Sequence, residues 1–248
     1  MNKIYKIILG ENKKKQFIKI CHSNDIQLDY LLNKNEFHIL TDIFENREYS
    51  DYFPFYQNAI IIDIGAHYGY FSIFANKNTH PLSQIISIEP AISNYKQMTA
   101  NLTANKIENV IAVHAALGIS NGLSTLYTGK SSNHSLISNY KLINENKNEE
   151  KVECKTLETI LIENKIEKVD FLKMDCEGSE YAILENLSNT CYDKISTISL
   201  EFHDLKEEKY TGNYLIELLK EHDFKITKYN YMPTTMGLNY GKIIATKI

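Results

Sequence analysis

From Ala59 onward the chain alternates two kinds of apolar pattern. Ala59-Ile60-Ile61-Ile62-Asp63-Ile64 is an almost continuous apolar run, as expected of a strand covered on both faces within a parallel sheet. Runs of the same kind recur at Ile85 to Ile88, Val110 to Val113, Val169 to Met174, Ile195 to Leu200 and Ile243 to Thr246. Between them apolar residues fall on one side at helical spacing: Tyr95, Met98 and Leu102; Leu157, Ile160 and Leu161; Tyr181, Leu184 and Leu187; Leu215, Leu218 and Leu219. Strand and helix in alternation, joined by right-handed crossovers, predict an α/β fold with a doubly wound, mostly parallel sheet.

Residues 1–57 follow another rhythm. Ile4 to Leu9 and Phe17 to Cys21 read as short strands, with Lys13-Lys14-Lys15 as a solvated turn between them. Glu36 to Asn46 reads as a helix, because Phe37, Leu40, Ile43 and Phe44 share a face. No Pro/Gly/Ser linker follows, so residues 1–57 are expected to cap one main domain of residues 58–248. Gly129 to Lys151, rich in Ser, Asn, Lys and Glu, breaks the alternation and reads either as a surface insertion or as a lid over a ligand.

Composition narrows the function classes. With 43% hydrophobic and 23% charged residues in 248, the chain has the make-up of a packed globular domain rather than a disordered one. Net charge is -4 and the longest basic run is three lysines, so the basic face that nucleic-acid binding requires is missing. Cys21, Cys154, Cys176 and Cys191 show neither a CxxC pair nor zinc-ligand spacing; they read as reduced thiols in a cytoplasmic setting. Met1 to Tyr5 lacks the apolar stretch of a signal peptide, and no run of 18 uncharged apolar residues exists to span a membrane.

The strongest chemical signal is Asp63-Ile64-Gly65-Ala66-His67-Tyr68-Gly69, which follows the first buried strand and opens a helix. Glycines there let the backbone turn tightly and approach a ligand. A dinucleotide fingerprint would carry a middle glycine for the pyrophosphate, and this chain has Ala66-His67 in its place. That argues against an NAD-type oxidoreductase and suits S-adenosylmethionine, which has no phosphate. Asp63 is a candidate partner for a ligand ammonium. Glu89, with Pro90 at the end of the second strand, is placed to accept both ribose hydroxyls of an adenosine. Ala115-Ala116-Leu117-Gly118 reads either as an adenine slot, with Ala116 and Leu117 lining it, or as a plain strand-to-loop transition.

A second cluster, Asp175, Glu177 and Glu180, gathers after the apolar strand ending in Lys173-Met174. Glu180 suits a first helical turn; Asp175, with Lys173 on its side of the strand, faces the same crevice as Gly65. Glu201-Phe202-His203-Asp204 ends the next strand. Asp175, Glu177 and His203 are candidate bases or acceptor-positioning groups, and together they alternatively form a set for a divalent metal.

These motifs resemble the FkbM-type family of S-adenosylmethionine-dependent methyltransferases, over about Ala59 to Asp204. The Lys173-Met174-Asp175-Cys176-Glu177-Gly178-Ser179-Glu180 stretch is the family-specific part; the glycine loop is common to class I methyltransferases. The resemblance implies O-methylation of a sugar, glycan or other small natural-product hydroxyl, with cofactor at Asp63, Gly65, Ala66, His67, Tyr68, Gly69, Glu89, Pro90, Ala116 and Leu117. His67 departs from the family's usual Asn. A catalytically silent binding module is the competing class that shares the fold, and oligomeric state is not legible in the sequence.

Overall fold

The computed structural model describes residues 10–28, 34–128, 134–136, 148–205, 209–233 and 239–248. In chain order its elements are α1 (Glu11–Ser23), α2 (Lys34–Phe44), β1 (Ile60–Ile64), α3 (Tyr70–Asn78), β2 (Gln84–Ile88), α4 (Ile92–Ala104), β3 (Val110–Val113), β4 (Ala116–Leu117), β5 (Gly122–Thr128), β6 (His134–Ser135), β7 (Asn148–Lys155), α5 (Leu157–Glu163), β8 (Phe171–Met174), α6 (Glu180–Glu185), α7 (Asn189–Tyr192), β9 (Thr197–His203), α8 (Gly212–Glu221), β10 (Phe224–Met232) and β11 (Tyr240–Lys247).

Seven strands form one sheet in the order β10-β11-β9-β8-β1-β2-β3. β3, β2, β1, β8 and β9 pair in parallel, while β11 is antiparallel to β9 and to β10. The doubly wound, mostly parallel sheet is therefore the fold, and each apolar run is one of its strands. The chain moves outward from β1 to β3 and then returns to β8 on β1's other side, so the order reverses between β1 and β8.

Side chains alternate across the sheet with a period of two. Ile62, Ile64, Leu172 and Met174 enter one core with α5, α6, α7 and α8. Ile61, Ile85 and Phe171 enter the other, which also holds Phe17, Ile20, Phe37, Leu40, Ile43 and Phe44 of the N-terminal segment with Phe71 and Phe74 of α3. The N-terminal segment thus shares a core with the main sheet.

Several sequence expectations are corrected here. Phe17 to Cys21 is not a strand but part of α1: Phe17 and Ile20, three apart, are buried while Ile18 between them is 53% exposed, which is the helical and not the strand pattern. Lys13-Lys14-Lys15 accordingly lies on that helix rather than in a turn, with the Lys13 ammonium 5.5 Å from the centre of the Phe37 ring. Ile4 to Leu9 lies outside the described residues. Within the stretch from Gly129 to Lys151, β6 and the start of β7 belong to a second, four-stranded sheet of order β4-β7-β5-β6; the rest of that stretch lies outside the described residues. The four cysteines stand free, Cys154 and Cys191 buried and the others half-buried. Among the described residues no helix is long and apolar enough to cross a membrane.

One charged pair sits inside the sheet. Asp63 of β1 and Lys173 of β8 are direct cross-strand partners, both buried, with Nζ 3.1 Å from Oδ1. Ser72 of α3 donates to Asp63 Oδ2 at 2.7 Å. The Lys173 ammonium also donates to the carbonyls of Gly65 at 2.8 Å and Ile64 at 3.3 Å. Burial alone would favour the neutral amine, but the charges of Asp63 and then Asp175 outweigh it and hold the lysine pKa above its ordinary value. Removing one partner strands a buried charge, so Lys173→Met is expected to lower unfolding free energy by about 3 to 5 kcal/mol. The double variant Asp63→Asn/Lys173→Met should recover much of that loss. Urea unfolding of the two variants checks it; equal destabilisation in both would show that the charge pairing is not what matters.

Candidate active site

The carboxyl ends of β1, β2, β8 and β9 open onto a cavity of about 250 Å³, placed at the order reversal where open α/β sheets bind ligands. The first wall is the turn after β1. Gly65 (φ 73°) and Gly69 (φ 78°) are both left-handed. A Cβ on Gly65 would stand 1.8 Å from the Asp175 carbonyl oxygen, so only glycine lets the ends of β1 and β8 abut. The amides of Gly65 and Ala66 both reach the Ile88 carbonyl, which ties this turn to β2.

Glu89 completes that wall from the end of β2. Its carboxylate accepts the amide of His67 at 2.8 Å, the amide of Ala91 at 3.0 Å and the Asn94 side chain at 3.3 Å. Burial pushes its pKa from 4.5 up to about 7, against the pull of these donors. His67 takes a left-handed φ of 51° and stacks on Tyr68 with ring centroids 3.9 Å apart. Both its ring nitrogens are buried without a hydrogen-bond partner among the described residues. Burial, then the charges of His134 and Lys173, lower its pKa to about 3, so the imidazole is neutral throughout the physiological range.

The other end of the cavity is acidic. In the turn after β8, Glu177 adopts φ 53° and Gly178 φ 97°. Glu180, fully buried, closes that turn by accepting the amides of Cys176 and Gly178, a more specific duty than the helix-dipole role expected of it. His203, at the end of β9, lies 3.6 Å from Glu177, 3.5 Å from Glu180 and 3.8 Å from Glu201. Burial would lower its pKa, but the bond to Glu180 and the charge of Glu177 prevail and push it up to about 10. That shift favours the protonated imidazole, a form that does not accept a hydroxyl proton.

The cavity is lined by Gly65, Ala66, His67, Glu89, Pro90, Ala116, Leu117, Asp175 and Glu177, nine of the residues singled out in the sequence. Four others stand behind that lining. Asp63 is buried beneath the turn, its carboxylate meeting Lys173 and Ser72. Gly69 starts α3 through the Ile73 amide; Tyr68 flanks His67, and His203 backs Glu177.

A third group was given no role in the sequence reading. Glu201 lines the cavity together with Glu48, Tyr49, His134 and Tyr240. Lys242 bridges Glu48 and Glu201, the latter at 3.1 Å, with its ammonium 4.6 Å from the centre of the Tyr49 ring. Glu201 is raised above the usual carboxylate range by burial and then by the charge of Asp175. Strand alternation puts Glu201 on His203's side and was available as a signal. Glu48, Tyr49 and Lys242 carry no motif, and the Lys242 to Glu201 pairing exists only once β11 lies antiparallel on β9.

Comparison with known proteins places this arrangement. The model of the methyltransferase FkbM domain matches residues 63–226. Methyltransferase 1 of Beauveria bassiana (strain ARSEF 2860) is 29% identical over 194 residues, covering 71% of this chain and 77% of its own. Methyltransferase sdnD of Sordaria araneosa is 28% identical over 203 residues, covering 69% and 75% respectively. Among solved structures, precorrin-6y C5,15-methyltransferase from Geobacter metallireducens GS-15 is similar at a TM-score of 0.48 and 14% identity, covering 90% of this chain and 95% of its own. With one family model accounting for more than half of its length, from Asp63 to Ile226, the chain belongs to the FkbM methyltransferase domain family.

Proposed function

We propose that this methyltransferase moves the methyl group of S-adenosylmethionine to a hydroxyl of a sugar, glycan or other small natural product. The observation that carries the reading is the abutment of Gly65 on the Asp175 carbonyl, which brings the glycine turn and the acidic turn to one cavity. At one end, Glu89 retains lone pairs for a ribose, and Ala116 and Leu117 offer small apolar walls for a base. At the other, the carboxylates of Asp175 and Glu177 face the space left for an acceptor.

When bound, the cofactor supplies an electrophilic methyl on a sulfonium, so the chain's task is to align an oxygen with it and remove the proton. Asp175 sits next to the Gly65 turn and is the carboxylate nearest the reacting centre in this reading; Glu177 orients the acceptor, backed by His203. The neutral state of His67 avoids placing a second cation beside the sulfonium. The modest size of the cavity supports a small acceptor, and the carboxylates that line it suit a group that gives up a proton.

Two outcomes test this. Asp175→Asn should lower the turnover number by on the order of a hundredfold to ten-thousandfold, with the Michaelis constant for S-adenosylmethionine little changed. The assay is release of S-adenosylhomocysteine across a panel of hydroxylated acceptors; a near-normal turnover number would remove Asp175 from the reaction. The second concerns Glu89. Because its folded pKa lies above 4.5, at about 7, the stability it contributes is complete below pH 4.5 and is lost as pH rises through about 7. Ligand binding runs the other way, since the ionised carboxylate accepts both ribose hydroxyls. Affinity for S-adenosylhomocysteine by calorimetry should therefore rise from about pH 6 to about pH 8, and this slope should vanish in Glu89→Gln. An identical slope in the variant would take the ribose role away from Glu89.

A further inference from the structure

We propose that Asp175, Glu177 and His203 hold a divalent cation in the wall of the methyl-transfer cavity. The existence of this site does not depend on the acceptor being a hydroxyl, although its use in catalysis rests on that reading.

The geometry comes first. One ligand atom from each residue can be chosen so that all lie within 4.8 Å of one another. Two donors bonded to one ion at about 2.1 Å stand about 3.4 Å apart at tetrahedral angles, so the widest pair has to close by up to about 1.4 Å. The donors come from adjacent strand ends, with Met174 of β8 in register with Leu200 of β9. Their turn is fixed in advance: Glu180 holds the amides of Cys176 and Gly178, and the Ser135 hydroxyl donates to the Glu177 carbonyl at 2.8 Å.

Charge balance points the same way. Asp42, Glu48, Glu89, Asp175, Glu177 and Glu201 all line the cavity. Lys173 is committed to Asp63 and two carbonyls, and Lys242 to Glu48 and Glu201. Asp175 and Glu177 stand beside His203, and a dication among the three would offset the carboxylate charge. Independent of the acidic cluster is His67. Its ring lines the same cavity with both nitrogens buried and, among the described residues, without a hydrogen-bond partner, near enough to Asp175 for their charges to interact. Such orphaned nitrogens call for a polar ligand, and water or an acceptor oxygen on a metal at Asp175 supplies one.

Two carboxylates and one imidazole suit Mn²⁺, Fe²⁺, Co²⁺ or Zn²⁺ better than Ca²⁺. A cation there lowers the pKa of an acceptor hydroxyl. The O–CH₃ bond then forms as the S–CH₃ bond breaks, the electron pair stays on sulfur, and the hydroxyl proton passes to solvent.

The test is titration of chelator-treated full-length protein with Mn²⁺, reading free Mn²⁺ by its paramagnetic resonance signal, with S-adenosylhomocysteine binding measured on the same preparation by calorimetry. One Mn²⁺ per chain is expected, weakened tenfold or more, on the order of the losses that metal-site changes cause, in Glu177→Gln and His203→Gln. Asp42→Asn, another cavity carboxylate, should leave Mn²⁺ affinity unchanged; equal weakening there would reduce the site to diffuse negative charge and overturn the proposal. Should one variant fail to fold, as its thermal melt would show, the other carries the comparison. Absence of stoichiometric Mn²⁺ binding in protein that binds S-adenosylhomocysteine refutes the metal site and leaves the methyltransferase reading intact. Mn²⁺ binding without S-adenosylhomocysteine binding supports the site and counts against the cofactor reading.

Discussion

Two opposite charges buried at the same level of β1 and β8 set the terms for the rest of the molecule. A carboxylate and an ammonium withdrawn from water are tolerated only when paired and hydrogen-bonded, and the partners that meet this demand here are Ser72 and the carbonyls of Ile64 and Gly65. The lysine thereby reaches one residue beyond the end of β1 and holds the carbonyl of the first glycine in the turn. Since Gly65 presses against the Asp175 backbone, the same contact fixes the spacing between the turns that follow β1 and β8. The geometry of the cavity is in this sense a consequence of satisfying a buried ion pair.

Electrostatically the cavity has two ends. Around His67, His134 and Glu89, burial dominates and suppresses charge: both imidazoles are pushed toward the neutral form, and the carboxyl is poised near neutrality. Around Asp175, Glu177 and Glu201, the closely set carboxylates outweigh burial at their cationic neighbours and push His203 and Lys242 toward their protonated forms. A ligand with an uncharged, hydrogen-bonding nucleoside at one end and positive charge toward the other matches this division, which is why the methyltransferase family and the site physics agree.

How much of this was legible in the sequence follows from what each residue's role depends on. Ile60 to Ile64 and Phe171 to Met174 were readable as buried strands because central parallel strands are apolar on both faces. β10 was not, because eight of its nine residues are exposed or half-buried at the sheet edge, and β5 and β7 are likewise polar strands of a small sheet. The glycine turn was legible because its backbone angles demand glycine. For Asp63, sequence spacing shows that an acid precedes the turn, whereas the lysine paired with it lies 110 positions later and meets it only through strand register. His203 was found by position, but the three carboxylates that surround it converge only in the fold.

The most direct test of this account is a crystal structure with S-adenosylhomocysteine bound. The account predicts the ribose on Glu89, the adenine between Ala116 and Leu117, and the thioether sulfur facing Asp175, with Lys173 still bonded to Asp63 and to the Gly65 carbonyl. Density elsewhere on the surface, or Asp63 turned out onto the ligand's ammonium with Lys173 released, would contradict it.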